Sequence, residues 1–276
     1  MTGFSADWLA LREPADHHAR DPALVAALAG HLPGRTVRVT DLGCGTGSNL
    51  RALAPHLGPA QHWHLVDHDP ALLAAARARL SDWADAAAAD GADLVLRAGD
   101  RTIRVSFGQA DLARDPAAAL GASPDLVTAA ALFDLVSEAW IASFAAAVAE
   151  RRALFYTALT YDGAERWEPP HPADAAMLAA FHAHQAGDKG FGPSAGPGAT
   201  AALRAAFEAR GYRVRTGDSP WRLGDGSLLR ELAKGAAAAV RETGQVPEAV
   251  IEDWLKARLA AAACTIGHTD LLALPG

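Results

Sequence analysis

Thr36-Val37-Arg38-Val39-Thr40-Asp41-Leu42-Gly43-Cys44-Gly45-Thr46-Gly47 is a β-branched, apolar run that ends in three glycines spaced by single residues. The run predicts a buried strand, and alternate glycines let the chain turn tightly and approach a ligand that side chains would exclude. Leu50, Leu53 and Leu57 follow on one helical face, so the stretch reads as strand, glycine turn and helix. A dinucleotide site would carry G-x-G-x-x-G here, with a pyrophosphate on the helix N-terminus. This loop is D-x-G-x-G-x-G instead. The Asp41 carboxylate entering it would repel a pyrophosphate and favour a ligand bearing ammonium and sulfonium groups.

Outward from that loop the same grammar repeats. Upstream, Asp21-Pro22 is a cap and first-turn proline for a helix carrying Leu24, Val25, Leu28 and Leu32, which Pro33-Gly34 stops. Downstream, Trp63 to Val66 predicts a short strand, and Asp69-Pro70 caps a helix striped by Leu72, Leu73, Ala76, Leu80 and Trp83. DLVLR (93–97) and TIRVSF (102–107) flank AGDR, predicting a hairpin inserted before the third sheet position. Residues 125–131 and 153–159 predict the fourth and fifth strands, separated by a helix that Ser137 caps and that bears Trp140, Ile141, Phe144 and Val148. Alternating strands and helices imply an α/β fold on a mostly parallel sheet.

After Asp162-Gly163 the character changes. Pro169, Pro170, Pro172, three histidines and GDKGFGPSAGPG mark 163–200 as a cap insertion over the sheet. A second helical insertion is expected over 225–260, split by Gly244 and Pro247, with strands at 212–215 and 265–274 on either side. Residues 1–34 read as a lid segment, and the whole of 1–276 as a single domain with these additions.

Composition narrows the function classes. The 276 residues are half apolar and 21% charged, enough for a full core. The formal charge is −7 and the arginines and lysines are scattered, which offers no electrostatic footprint for nucleic acid. No run of eighteen apolar residues occurs, and MTGFSADWLALREP carries acids and a proline where a signal peptide needs an unbroken apolar stretch, so no membrane association and a cytoplasmic location are expected. Cys44 and Cys264 form no cysteine framework or cysteine-based zinc site.

DLGCGTG resembles the first motif of the class I S-adenosylmethionine-dependent methyltransferases, and the resemblance in strand order covers most of the chain. It implies a Rossmann-like, mostly parallel seven-stranded sheet with helices on both faces. It also implies S-adenosyl-L-methionine as cofactor, lying across Asp41, Gly43, Cys44, Gly45 and Gly47. In that family an acid ending the second strand binds both ribose hydroxyls. Asp67, followed by His68 in LVDHDP, stands twenty residues after Gly47, the spacing at which nucleotide folds also place a ribose acid. Asp69 sits better for capping, which frees Asp67 for a ligand. Gly108-Gln109-Ala110-Asp111-Leu112 matches the family's adenine-side segment, implying Asp111 and Leu112, and AAALFD implies that Ala131 and Asp134 border the cofactor. The chain departs from the family at Glu150-Arg151-Arg152, where a glycine-rich turn is common.

Other residues carry chemistry with two readings each. Cys44, at a helix N-terminus, could be a nucleophile, but small residues there also admit a ligand and no partner base is indicated. Arg12 and Arg20, in the lid segment, could reach the cofactor carboxylate or be solvated. His171, His182, His184 and His268 do not suggest a metal site, because His182 and His184 are two apart on a helix and face different directions. One of His182 and His184 is expected to act as general base on the acceptor, with His171 as an acceptor contact. Lys189, glycine-flanked in Asp188-Lys189-Gly190, suits an anionic group.

Methyl transfer from a sulfonium is an in-line displacement, which explains the missing catalytic triad. An (Asp/Asn)-Pro-Pro-(Tyr/Phe) run is absent where ALFD stands, which argues against amino groups of nucleic acid. The expected acceptor is a small metabolite, anionic if Lys189 pairs with it, methylated on oxygen. A nicotinamide-dependent oxidoreductase, a protein or RNA methyltransferase and a non-enzymatic cofactor-binding regulator remain alternatives, and the oligomeric state is not readable.

Overall fold

The computed structural model of the chain describes residues 4–32, 34–121, 123–188, 190–224 and 226–276. Two helices, α1 (Ala6–Ala19) and α2 (Pro22–His31), precede β1 (Val37–Leu42), α3 (Ser48–Leu53), β2 (Ala60–Asp67) and α4 (Pro70–Trp83). Then come β3 (Ala86–Asp90), β4 (Asp93–Ala98), β5 (Arg101–Gln109), α5 (Pro116–Ala119), β6 (Leu126–Ala130), α6 (Glu138–Glu150) and β7 (Leu154–Glu168). The chain ends with α7 (Asp174–Gln185), α8 (Ala199–Glu208), β8 (Tyr212–Asp218), β9 (Trp221–Gly224), α9 (Ser227–Thr243), α10 (Glu248–Leu259) and β10 (Ala263–Pro275).

The caps read from sequence are made. Asp21, Asp69 and Ser137 accept hydrogen bonds from the backbone N–H groups of Leu24, Ala71 and Trp140. Each satisfies a donor that the first helical turn would otherwise leave unpaired.

One sheet holds the strands in the order β3-β4-β5-β2-β1-β6-β7-β10-β8, with β9 paired to β10. The stretch β5-β2-β1-β6-β7 is parallel, and β10 runs antiparallel between β7 and β8. This is the Rossmann-like sheet the sequence implies, with ten strands rather than seven. The hairpin accounts for part of the difference. Its second arm, β5, is itself the third sheet strand, in register with β2 from Ala60↔Thr102 to Asp67↔Gln109, so only its first arm, β4, is inserted ahead of that position. β3 then extends the edge, and its run of four alanines, exposed throughout, has no apolar alternation that could mark a strand.

β7 is longer than expected. Residues 163–168, compositionally the start of a cap, continue the strand because β10 begins opposite them, with Ala263 facing Glu168. Helices cover both faces. One core cluster packs α6 and α8 on the sheet through Phe133, Phe144, Phe155 and Phe207, with ring centroids 4.9–5.3 Å apart along the chain of contacts. The other joins α2, α3 and α4 to the opposite face and runs on into a lobe of α7, α9 and α10 around Met177, Leu229, Ile251 and Trp254. Among the described residues no helix is long and apolar enough to cross a membrane.

Candidate active site

The glycine loop leaves β1 with Gly43, Gly45 and Gly47 all at positive φ, 61°, 52° and 76°. A Cβ at Gly45 would lie 2.9 Å from the tip of the Leu9 side chain on α1. α1 therefore lies over the loop. Glu13 pairs with Arg51 at 2.7 Å, and His17 Nε2 lies 3.1 Å from the Ser48 carbonyl, tying the helix to α3.

Asp67 ends β2 with its carboxylate buried against the loop. Oδ2 accepts the Gly45 N–H at 2.9 Å, Oδ1 accepts the Asp69 N–H at 3.0 Å, and the exposed His68 ring lies 3.3 Å from Oδ1. The carboxylate is thus oriented by backbone on both sides, while a carboxylate has about four lone-pair sites, so acceptor capacity is left over. The adenine-side segment is fixed to the same strand end, because the Ala110 N–H donates to the Asp67 carbonyl at 3.0 Å. There Asp111 is exposed and bonded to its own turn at Ala113, and the buried Leu112 carbonyl accepts the Trp140 indole N–H at 2.7 Å.

Asp41 is fully buried. Its Oδ1 accepts from Asn49 at 2.7 Å, Asn49 also reaches Thr128 at 3.1 Å, and Asp41 Oδ2 has no partner. Burial above all raises the Asp41 carboxyl to about 7, with the nearby Asp67 charge adding to the rise and Asn49 and Arg20 opposing it. The Cys44 thiol beside it is pushed well above the ordinary thiol range, first by burial and then by Asp41 and Asp67. A thiol so held is a poor nucleophile, which decides between the two readings of Cys44 in favour of a small residue beside a ligand. Arg20, at the junction of α1 and α2, is buried with Nε and Nη1 unpartnered.

A second group gathers beyond the carboxyl end of β6, beside Tyr161 of β7 and His268 of the antiparallel β10. Ala131 turns at φ 51° with its N–H on the Ala158 carbonyl at 2.9 Å, and the chain continues to Asp134, which is buried and accepts from Gln185 at 3.1 Å. Burial raises the Asp134 carboxyl to about 6, opposed by its own backbone N–H, by Arg12 and by the Tyr161 N–H. The Tyr161 hydroxyl on β7 lies 2.9 Å from His182 Nε2 on α7. Desolvation holds that imidazole below its ordinary value, and burial lifts the phenol above its own. His268 on β10 packs against Trp221 at 5.1 Å and Tyr161 at 6.2 Å between centroids, and burial first, then Arg12, lowers it to about 3. Arg12 closes the group from α1, over the Trp221 ring at 5.0 Å and paired with Asp16 at 2.9 Å.

The structure therefore brings His182, Asp134, His268 and Arg12 together, and adds Tyr161 and Trp221, which the sequence reading missed. Tyr161 sits in a strand extension with no motif, and Trp221 on a four-residue strand, so only the topology shows them. The same holds for Asn49 and Thr128 beneath Asp41. His184 is turned away from that group toward Glu242 of α9 at 3.0 Å, and His171 toward Asp253 of α10 at 3.2 Å. Lys189 lies outside the described residues.

Residues 40–153 match the family profile of the methyltransferase domain. A segment of 69 residues is 46% identical to the biotin biosynthesis bifunctional protein BioCD of Bordetella avium, covering 24% of this chain and 14% of that protein, so the match spans about a seventh of the relative's length. Among solved structures, the cyclopropane-fatty-acyl-phospholipid synthase-like protein of Lactobacillus casei superposes with a TM-score of 0.53 at 17% identity, over 98% of this chain and 94% of that one. The magnesium protoporphyrin IX methyltransferase of Synechocystis, with bound S-adenosylhomocysteine, gives 0.46 at 16% identity over 79% and 83% of the two chains.

Proposed function

We propose, for a chain that belongs to the class I S-adenosylmethionine-dependent methyltransferases, that it methylates an oxygen of a small, anionic metabolite. The cofactor is S-adenosylmethionine, which supplies an electrophilic methyl group on sulfur. The residues at the glycine loop fit it. Asp67 has acceptor capacity for ribose hydroxyls, Arg20 has two buried N–H donors without partners for the aminoacyl carboxylate, and the unpaired Oδ2 of Asp41 favours the ammonium. His68, Asp111, Leu112 and Ala131 complete the wall around the nucleoside in this reading.

The observation that carries the oxygen assignment is the Tyr161–His182 pair, 2.9 Å apart, at the carboxyl edge where open α/β sheets bind their ligands. A hydroxyl acceptor must lose its proton as the new O–CH3 bond forms and the C–S bond breaks. His182, held unprotonated near neutrality by desolvation, takes that proton through the Tyr161 hydroxyl. His182 rather than His184 is the base in this reading, because His184 is committed to Glu242. Arg12 supplies positive charge on the acceptor side, and we assign Lys189 and His171 to the outer part of the acceptor site, within a cap that follows the β7 strand, over 169–200. A net charge of −7 without a basic patch supports a small molecule over nucleic acid, and the same scatter of charge supports action in the cytoplasm away from a membrane.

The test is binding followed by turnover. S-adenosylhomocysteine at about a hundred times its Kd should stabilise the fold by roughly 2.7 kcal/mol, NAD should not, and Asp67→Ala should remove most of the shift. Methyl from S-adenosylmethionine should then appear on hydroxyl or carboxyl oxygens of small acids. A stabilisation ranking with NAD first, or methyl recovered only on nitrogen, protein or RNA, would sink the reading.

A further inference from the structure

Arg20 caps the C-terminus of α1, with only Asp21 between it and α2, and its backbone leaves helical geometry at φ −56°, ψ 142°. Its guanidinium runs inward, where Nε and Nη1 are buried without partners. Two unmade hydrogen bonds on a buried cation are costly, so something must hold the group in place against relaxation.

The strands on the far side of the sheet provide it. Asp270, fully buried in β10, accepts the Asp21 N–H on Oδ2 at 3.0 Å, fixing the residue next to Arg20. The same carboxylate accepts the Leu159 N–H at 2.9 Å and the Tyr156 hydroxyl at 2.8 Å. Tyr156, on β7, is buried, and by donating to Asp270 its hydroxyl helps hold the carboxylate that fixes Asp21 next to Arg20. Behind the junction, the Asp21 carboxylate that caps α2 presses on Gly217 of β8, where a Cβ would come within 2.1 Å. Gly217 is itself the register partner of Asp270. Phenylalanine at 156 and an uncharged residue at 270 would fill the same space, so packing alone does not ask for a buried carboxylate and a phenol here.

We infer that Asp270 and Tyr156, with Gly217 as the backstop for Asp21, are positioning residues that aim the free N–H groups of Arg20 at the carboxylate of the cofactor's aminoacyl arm. The antiparallel edge of the sheet thereby sets the affinity for that arm. This rests on the reading of Arg20 as the carboxylate anchor.

The experiment compares two ligands by calorimetry: S-adenosylhomocysteine, and methylthioadenosine, the same nucleoside without the aminoacyl arm. Arg20→Ala should weaken S-adenosylhomocysteine ten- to a hundredfold, in the range of about one or two lost charge-assisted bonds, and leave methylthioadenosine within about twofold. Tyr156→Phe should weaken S-adenosylhomocysteine about five- to tenfold with the same selectivity, and add little in the Arg20→Ala background, as coupled residues do. Gly217→Ala, which pushes Asp21 away, should follow Tyr156→Phe; if it does not fold, Tyr156→Phe decides. Equal weakening of both ligands by Arg20→Ala overturns the anchor and the device with it. A selective Arg20→Ala beside a Tyr156→Phe that changes neither ligand, or both alike, leaves the anchor standing and overturns the positioning device.

Discussion

The two halves of the site are built on different principles. Around β1 and β2, ligand-facing groups come from a short stretch of chain: three glycines with left-handed φ, a carboxylate twenty residues on, and backbone amides that hold it. Around β6, β7 and β10, the groups are side chains from α1, the turn after β6, β7, α7, β9 and β10, brought together by the fold rather than by sequence spacing. The first half is a backbone device and resists variation. The second is a set of side chains on a scaffold, where acceptor specificity can change without disturbing the cofactor.

If that contrast is right, the largest effect of a single side chain on turnover lies in the second half. His182→Ala should lower kcat about a hundredfold, the low end of what a positioned base contributes, with S-adenosylhomocysteine affinity unchanged. The pH profile sharpens this. A base must be unprotonated, so wild-type activity should fall as pH drops through a value below the ordinary imidazole range, where desolvation places His182. That acidic limb should vanish in the variant. A His182→Ala enzyme that keeps the limb, or loses cofactor affinity with kcat, would erase the division between the halves.

How much of each half was legible follows from the same contrast. Asp67 and the glycine loop could be read because their roles depend on local backbone geometry, which spacing encodes. The caps at Asp21, Asp69 and Ser137 were legible for that reason too. Tyr161 was not, because it lies on a β7 extension that exists only where β10 starts opposite it. β3 escaped notice since alanine marks no face, and the hairpin was misplaced since nothing local says that β5 pairs with β2. Asn49, beneath Asp41, shares a helix with the legible leucines, but its partner Thr128 is on another strand.

A smaller, thermodynamic effect tests how dry the second half is. Asp134 titrates at about 6 in the folded protein, against 3.8 for an ordinary aspartate, because burial disfavours its charge. The folded state therefore keeps a proton that the unfolded chain has released. By linkage, stability from this group is fully present below about pH 4 and is lost as pH rises through about 6. The loss is on the order of 2–3 kcal/mol at most, at about 1.4 kcal/mol per unit. Asp134→Asn, which can keep the Gln185 and Tyr161 contacts, should raise the melting temperature at neutral pH and flatten this part of the profile between pH 4 and 7, leaving the contribution of Asp41, raised to about 7, in place. A melting profile in Asp134→Asn with the wild-type slope would mean that water reaches this carboxyl.

The smallest effect is expected two residues from the largest. His184 shares α7 with His182, but two positions on a helix are about 200° apart, so one ring can meet the carboxyl edge while the other meets α9. It meets Glu242 at 3.0 Å, with the carboxylate largely in solvent. Ion pairs of that kind contribute roughly 0–1 kcal/mol, less at high salt. His184→Ala should therefore change stability by under about 1 kcal/mol, keep kcat within about twofold and retain the acidic limb that His182→Ala removes. Measuring both variants on the same acceptor turns the contrast into a matched pair: same residue type, same helix, same distance along the chain from Lys189 to within two residues. If His184→Ala also lowers kcat tenfold or more, the acceptor site reaches round α7 toward α9, and the boundary between scaffold and site drawn at Tyr161 has to move outward.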